Sequence, residues 1–262
     1  MKILTLIFLT LTLSAKLTFA TGQRSDLIIY KGDTLALLSL PLEEFLGEYD
    51  ERERKYSILK LTCSTDLWRG YQAFWKLEHN QLSLIDVYLC GNKDKSILKE
   101  FFQTQAPSKA IWFTGQLFIQ HGKMIKYNHI GFDRYFQEET VVEIEQGNII
   151  SEERFVNGIR PDDSGFPNDP DSVIAEVYRR INWENLPELS KEKKLIVSLK
   201  TGEIDSLTII RDKAGEAYIK ELQTVLNQFP QLKKFYARGK PLEEAYSFQV
   251  IFSNERRRKS NR

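Results

Sequence analysis

Cysteine is nearly missing from this chain: two residues in 262, Cys63 and Cys90. Neither has a histidine beside it in sequence, so nothing supports a thiol nucleophile. Histidine is almost as scarce, with His79, His121 and His129 alone. There is no His-Glu-x-x-His zinc pattern, no Gly-x-Ser-x-Gly elbow and no glycine-rich phosphate loop. No motif therefore names a catalytic residue, a metal ligand or a cofactor. A surplus of one charge is also lacking, with 37 basic residues against 36 acidic. Such balance predicts no general affinity for nucleic acid or for an anionic membrane. Beyond the N-terminus no run is apolar enough to span a bilayer, and there is no repeat or long low-complexity tract.

What is present begins with "MKILTLIFLTLTLSAKLTFA". Lys2 supplies a positive start and Ile3 to Ala15 an apolar run. Thr18 and Ala20 are small residues at the spacing of a signal-peptidase cut. Lys16 interrupts the run before the roughly 20 residues that a spanning helix needs. A cleaved signal over 1–20 is the expectation, with a periplasmic or secreted product and no integral span after cleavage. No cysteine follows the run, which gives no support to a lipid anchor. Cleavage leaves 242 residues and a net charge of −1. In an oxidising compartment the two cysteines, each at the end of an apolar stretch, can bridge strand ends or stay as separate buried thiols. The last eight residues hold five basic side chains. They read as a solvated basic tail, 255–262.

The stretch "NGIRPDDSGFPNDPDS" packs glycine, proline and aspartate without apolar periodicity, so 158–172 reads as a linker between two domains. The first domain, 24–157, is strand-rich. Tyr71, Ala73, Trp75 and Leu77 alternate onto one strand face. Turns are expected at Lys31-Gly32-Asp33, His79-Asn80, His121-Gly122 and Gln146-Gly147-Asn148. "KSILKEFFQ" carries Ile97, Leu98, Phe101 and Phe102 at helical spacing. An antiparallel sheet with one packed helix is the expectation.

The second domain, 173–254, opens on "DSVIAEVYRRI", a helix with Asp171 at its cap. The hairpin "LIVSLKTGEIDSLTII" follows. Next comes a helix that carries Tyr218, Leu222, Val225, Leu226 and Phe229 and stops at Pro230. The last strand, "AYSFQVIF", puts Tyr246, Phe248, Val250 and Phe252 on one face. The predicted class is α+β throughout. The hairpin, the helix "YIKELQTVLNQFP", the "RGKP" turn and the final aromatic strand resemble the C-terminal domain of the TonB family of energy transducers. That resemblance covers about 177–252. It implies a small helix-hairpin-helix-strand fold, a periplasmic location, and capture of an extended peptide from an outer-membrane or other envelope protein along the last strand. The chain departs from that family in lacking a proline-rich spacer. "SDLIIYKGDTLALLSLPLE", "LWRGYQAFWKLEHNQLSLIDV" and "WFTGQLFI" resemble segments of uncharacterised secreted proteins of Gram-negative bacteria.

These readings converge on a non-enzymatic envelope protein that binds a protein partner by strand addition. Tyr246, Phe248, Val250 and Phe252 are the expected contact strand, and Trp68 and Arg69 an exposed pair beside the first domain's core. No cofactor and no metal are expected. The alternatives are a secreted enzyme with its site in the first domain and a periplasmic immunity-type inhibitor. Glu138-Glu139 and Glu152-Glu153 read as solvated strand edges, because adjacent strand residues face opposite ways.

Overall fold

A computed structural model describes residues 22–47, 64–90, 92–102, 108–128, 131–202, 206–212 and 215–260. The chain divides into two compact units, Met1–Phe155 and Val156–Arg262.

The first unit is built from hairpins whose turns are chemically explicit. β1 (Asp26–Tyr30) and β2 (Asp33–Leu37) join through Lys31 and Gly32, with φ of 52° and 93°. β3 (Tyr71–Glu78) and β4 (Gln81–Leu89) join through His79 and Asn80, at 50° and 62°. β8 (Arg134–Glu145) and β9 (Asn148–Val156) join through Gln146 and Gly147, at 45° and 75°. Two successive positive φ values match the right-handed twist of paired strands, which is why glycine and asparagine occur there. The fourth expected turn is absent. β7 (Gly115–Tyr127) runs straight through His121 and Gly122 and pairs with β8 on both sides of them. Gly122, at φ 73°, serves a register shift between His121 and Met124. A bulge asks for the same residue as a turn does.

These strands close on themselves. The order β3-β1-β2-β7-β8-β9-β4 returns to β3 and makes a closed seven-stranded barrel. Closure depends on a parallel pairing of β1 with β3, Leu27 opposite Phe74 through Tyr30 opposite Leu77. Its thinnest seams are one ladder pair each. Leu37 meets Ile119 and Gln81 meets Asn148. Ser39 reinforces the first seam by accepting from the Phe118 N–H at 2.9 Å and donating to the Gln116 carbonyl at 2.8 Å. The short strands β5 (Asn92–Ser96) and β6 (Ser108–Lys109) attach to β4.

Inside the barrel the period-two reading holds, since Tyr71, Ala73, Trp75 and Leu77 are all buried. Ile28, Leu37, Leu82, Leu84, Leu117, Ile119, Val142 and Ile144 complete that core. Helix α1 (Pro41–Leu46) starts on Pro41, whose missing N–H costs nothing in a first turn, and buries Leu42 and Leu46 one turn apart. The expected helix over "KSILKEFFQ" is only the four residues Lys99–Phe102, here α2. Ile97 and Leu98 still enter the core, but from the segment just before the helix.

In the second unit helix α3 (Pro170–Arg180) is capped by Asp169, which accepts from the Ser172 N–H at 2.9 Å. Asp171, the expected cap, lies two residues further on, within the first turn. The strands β11 (Lys193–Thr201), β12 (Ser206–Asp212) and β15 (Glu244–Phe252) form a three-stranded sheet in the order β12-β11-β15. Its inner face, Leu195, Val197, Leu199, Phe248, Val250 and Phe252, shares one core with Val173 and Val177 of α3. Tyr218, Leu222, Val225 and Leu226 of helix α4 (Glu216–Asn227) complete it.

The glycine- and proline-rich segment is part of this unit. Its β10 (Gly158–Ile159) pairs with β13 (Phe235–Ala237), which pairs with β14 (Lys240–Pro241). The basic tail is a short helix, α5 (Asn254–Ser260). Arg257 ties it down by donating to the carbonyls of Leu186 and Pro187 at 3.0 and 2.7 Å.

The α+β expectation is therefore corrected. The chain is mostly β, 47% strand against 19% helix, and the first unit is a closed barrel instead of an open sheet under a helix. A second small sheet and a terminal helix join the elements that the sequence had suggested as a helix-hairpin-helix-strand unit. The physical reason is edge satisfaction. An open sheet leaves two rows of unpaired backbone groups, and pairing β1 with the distant β3 removes both.

Candidate functional site

The structure separates the residues that the sequence grouped. Trp68 is exposed, but Arg69 is buried with 1% of its surface accessible. The Arg69 guanidinium donates to Asp26 Oδ1 at 2.8 Å and to the Arg24 carbonyl at 2.9 Å. Asp26, equally buried, also accepts from the Ala73 N–H and from Trp75 Nε1, each at 3.1 Å. Burial pushes the Asp26 carboxyl up, and Arg69 pulls back against it. Asp26 sits at the start of β1, while Ala73 and Trp75 belong to β3. The group is thus a polar latch on the parallel pairing, and Arg69 has no free face for a partner.

Of the carboxylates expected at solvated edges, Glu139 is the buried one, while Glu152 is exposed as expected but engaged. It accepts from the Tyr30 hydroxyl and from Lys31 Nζ, the latter at 2.7 Å. Burial raises its carboxyl, but those two donors outweigh burial and hold it below its ordinary value. His121 lies nearby, its ring 6.0 Å from that of Tyr30 and its Nε2 2.9 Å from Thr140 Oγ1. Desolvation and the Arg154 charge depress the His121 pKa. The cluster pins the β1–β2 turn to β9. No group of three His, Cys, Asp or Glu suited to a metal occurs among the described residues. His129 and Cys63 lie outside the described residues, and those residues include no free cysteine.

β15 is different. Its inward residues Phe248, Val250 and Phe252 are core, and Phe252 packs against Trp183 and Tyr218 with ring centroids 5.6 and 5.1 Å away. Tyr246 is half-buried and donates to the Asn168 carbonyl at 3.1 Å. Burial, with the charges of Asp169 and Glu244, pushes its phenol up to about 12. The four expected contact side chains therefore hold the strand in place and present little to a partner. What β15 offers outward is backbone. It pairs with β11 on one side, and no described strand pairs with it on the other.

The direction of each residue follows from one bond. The Ile251 N–H donates to the Tyr178 hydroxyl at 2.8 Å. In an antiparallel ladder backbone groups alternate between the two sides, so Ala245, Ser247 and Gln249 also face away from β11. Their side chains are exposed as well. Tyr178 thus plugs the C-terminal end of the edge, and the open stretch is 245–249. The outward residues were missed in the sequence because they carry no apolar signal. Only the alternation with Phe248 and Val250 could have located them.

Among the described residues no helix is long and apolar enough to cross a membrane. No protein-family profile, no curated protein and no solved structure matches this chain.

Proposed function

We propose that this is a non-enzymatic, exported envelope protein that captures an extended segment of a partner protein by adding it as a strand to β15. The observation that carries the reading is the edge position of β15 in the sheet β12-β11-β15. Backbone pairing along Ala245, Ser247 and Gln249 supplies affinity to a partner strand without a deep pocket. The apolar N-terminal run supports export, and the likeness of the hairpin and last strand to the transducer segment points to the same strand.

The test is a proline at Gln249. Its N–H faces outward, so the substitution removes a group that a partner needs and leaves the β11 ladder intact. Val250 is the wrong choice, because its N–H belongs to the ladder with Leu195. A photo-crosslinker at Ser247 should trap an envelope protein in the parent protein. In Gln249→Pro that adduct should vanish while the unfolding midpoint holds. An undiminished adduct in Gln249→Pro rejects strand addition at this edge.

A further inference from the structure

The second unit also contains a cleft of about 470 Å³ between residues 160–166 and 230–236. That volume lies within the range of small-molecule sites, roughly 300–1,000 Å³. Its walls are fixed by backbone hydrogen bonds. The Phe166 N–H donates to the Gln231 carbonyl at 2.8 Å, and the Lys233 N–H donates to the Phe166 carbonyl at 2.7 Å. Asp163 adds a side-chain brace, accepting from the Gly165 N–H at 2.9 Å and the Lys234 N–H at 2.8 Å. At the clamp Gly165 has no room for a side chain, since a Cβ would fall 2.8 Å from Leu232 C and Lys233 N. The cleft is thus shaped before any ligand arrives, which lowers the ordering cost of binding.

Its chemistry is polar. The Arg160 guanidinium carbon lies over the Tyr236 ring, 3.7 Å from the centroid. Stacking restrains the fork and leaves N–H groups available for a carboxylate or phosphate oxyanion. No carboxylate among the described residues pairs with Arg160, unlike Arg179 and Arg180, which both engage Glu176. Asp162 lines the same cleft without an ion pair, so it can accept hydrogen bonds from hydroxyl groups. Ser164 and Gln231 line it too, each able to donate and accept.

The geometry points to a binding site for a small hydroxylated molecule that carries one oxyanion, an acidic sugar, with Arg160 holding the oxyanion and Asp162 a hydroxyl. The oxyanion can be the carboxylate of a uronic acid or the ester of a sugar phosphate. This site is separate from the β15 edge and does not depend on the strand-addition reading.

The test is amide NMR of the whole protein titrated with glucuronate, glucose 6-phosphate, glucose and inorganic phosphate. Glucuronate, glucose 6-phosphate or both should shift resonances within 160–166 and 230–236 at millimolar concentration, and which of them does so identifies the oxyanion. Glucose and inorganic phosphate should each bind at least about tenfold more weakly, since each lacks half of the recognised chemistry. Arg160→Lys keeps the charge but loses the fork, and should weaken the acidic sugar roughly tenfold with the thermal transition unchanged. Asp162→Asn should weaken the sugars without weakening inorganic phosphate, which a carboxylate in the cleft only repels. The assignment is overturned if neither acidic sugar shifts those segments, if glucose or phosphate alone binds as well, or if Arg160→Lys binds like the parent protein.

Discussion

The two units treat their strand edges in opposite ways. The barrel leaves no member of its seven-stranded ring without two neighbours, and one of its charged pairs, Arg69–Asp26, is wholly buried. Among the described strands, the sheet β12-β11-β15 leaves its last strand paired on one side only. A charge cluster of this unit, Glu176 with Arg179 and Arg180, lies on a helix whose arginines reach solvent. A closed ring hides its backbone groups, and an open edge leaves them where strand addition is possible. On this contrast the barrel should be sensitive to interior polar changes and the second unit to what meets its surface.

The sharpest way to break the comparison is Arg69→Met. Removing the guanidinium strands Asp26 inside the barrel as an uncompensated charge, which costs about 3–5 kcal/mol. Denaturant unfolding followed by hydrogen exchange should show early opening of β1 and β3. An equal loss of protection in β11 and β15 would contradict the division of roles. A smaller effect is expected at Gly147. There φ is 75°, and a Cβ would lie 2.7 Å from the Ala110 carbonyl oxygen. Gly147→Ala should therefore cost about 2 kcal/mol, on the scale of stored backbone strain. Gly32, also at positive φ but with nothing within 4 Å, should lose less on the same change, and equal losses would show that crowding is irrelevant.

The smallest effect belongs to the second unit and to pH. Hydrogen bonds from Arg179, then Arg180, hold the Glu176 carboxyl down at about 2, against an ordinary 4.5. A depressed carboxylate contributes stability that is complete above the ordinary value and is lost as pH falls toward 2. Solvent around Arg179 screens the pair, so about 1 kcal/mol is expected. Glu176→Gln should remove that acid dependence from the second unit's unfolding and leave the barrel's untouched.

Local chemistry in this chain was legible in the sequence, and distant pairing was not. Lys31-Gly32, His79-Asn80 and Gln146-Gly147 announce their turns because few residues accept the required backbone. The face of Tyr71, Ala73 and Trp75 announces itself by period two. Gly122 misled because a bulge and a turn ask for the same residue. Arg69 read as exposed because its carboxylate partner lies 43 residues earlier, beyond any local pattern. The segment around Asp163 read as a linker because its bonds go to Lys234, 71 residues away. Ring closure through β1 and β3 was invisible for the same reason, since a parallel pair needs no turn between its strands. At the candidate site the apolar alternation of β15 was readable, but the outward backbone that matters to a partner has no side-chain signature.

The parallel pairing also imposes an order of events on a chain that emerges N-terminus first. β1 can form its hairpin with β2 early, yet its other neighbour does not exist until Tyr71 to Glu78 have emerged. The ring cannot shut until Asn148 reaches Gln81. Until then the growing chain carries raw strand edges, so a product truncated before β9 should be sticky, and the rate-limiting step should be a long-range search with little turn formation left to do. The last strand of the ring to arrive is thus a safety catch, and a chaperone that shields unfinished barrels would have to hold on until it is set.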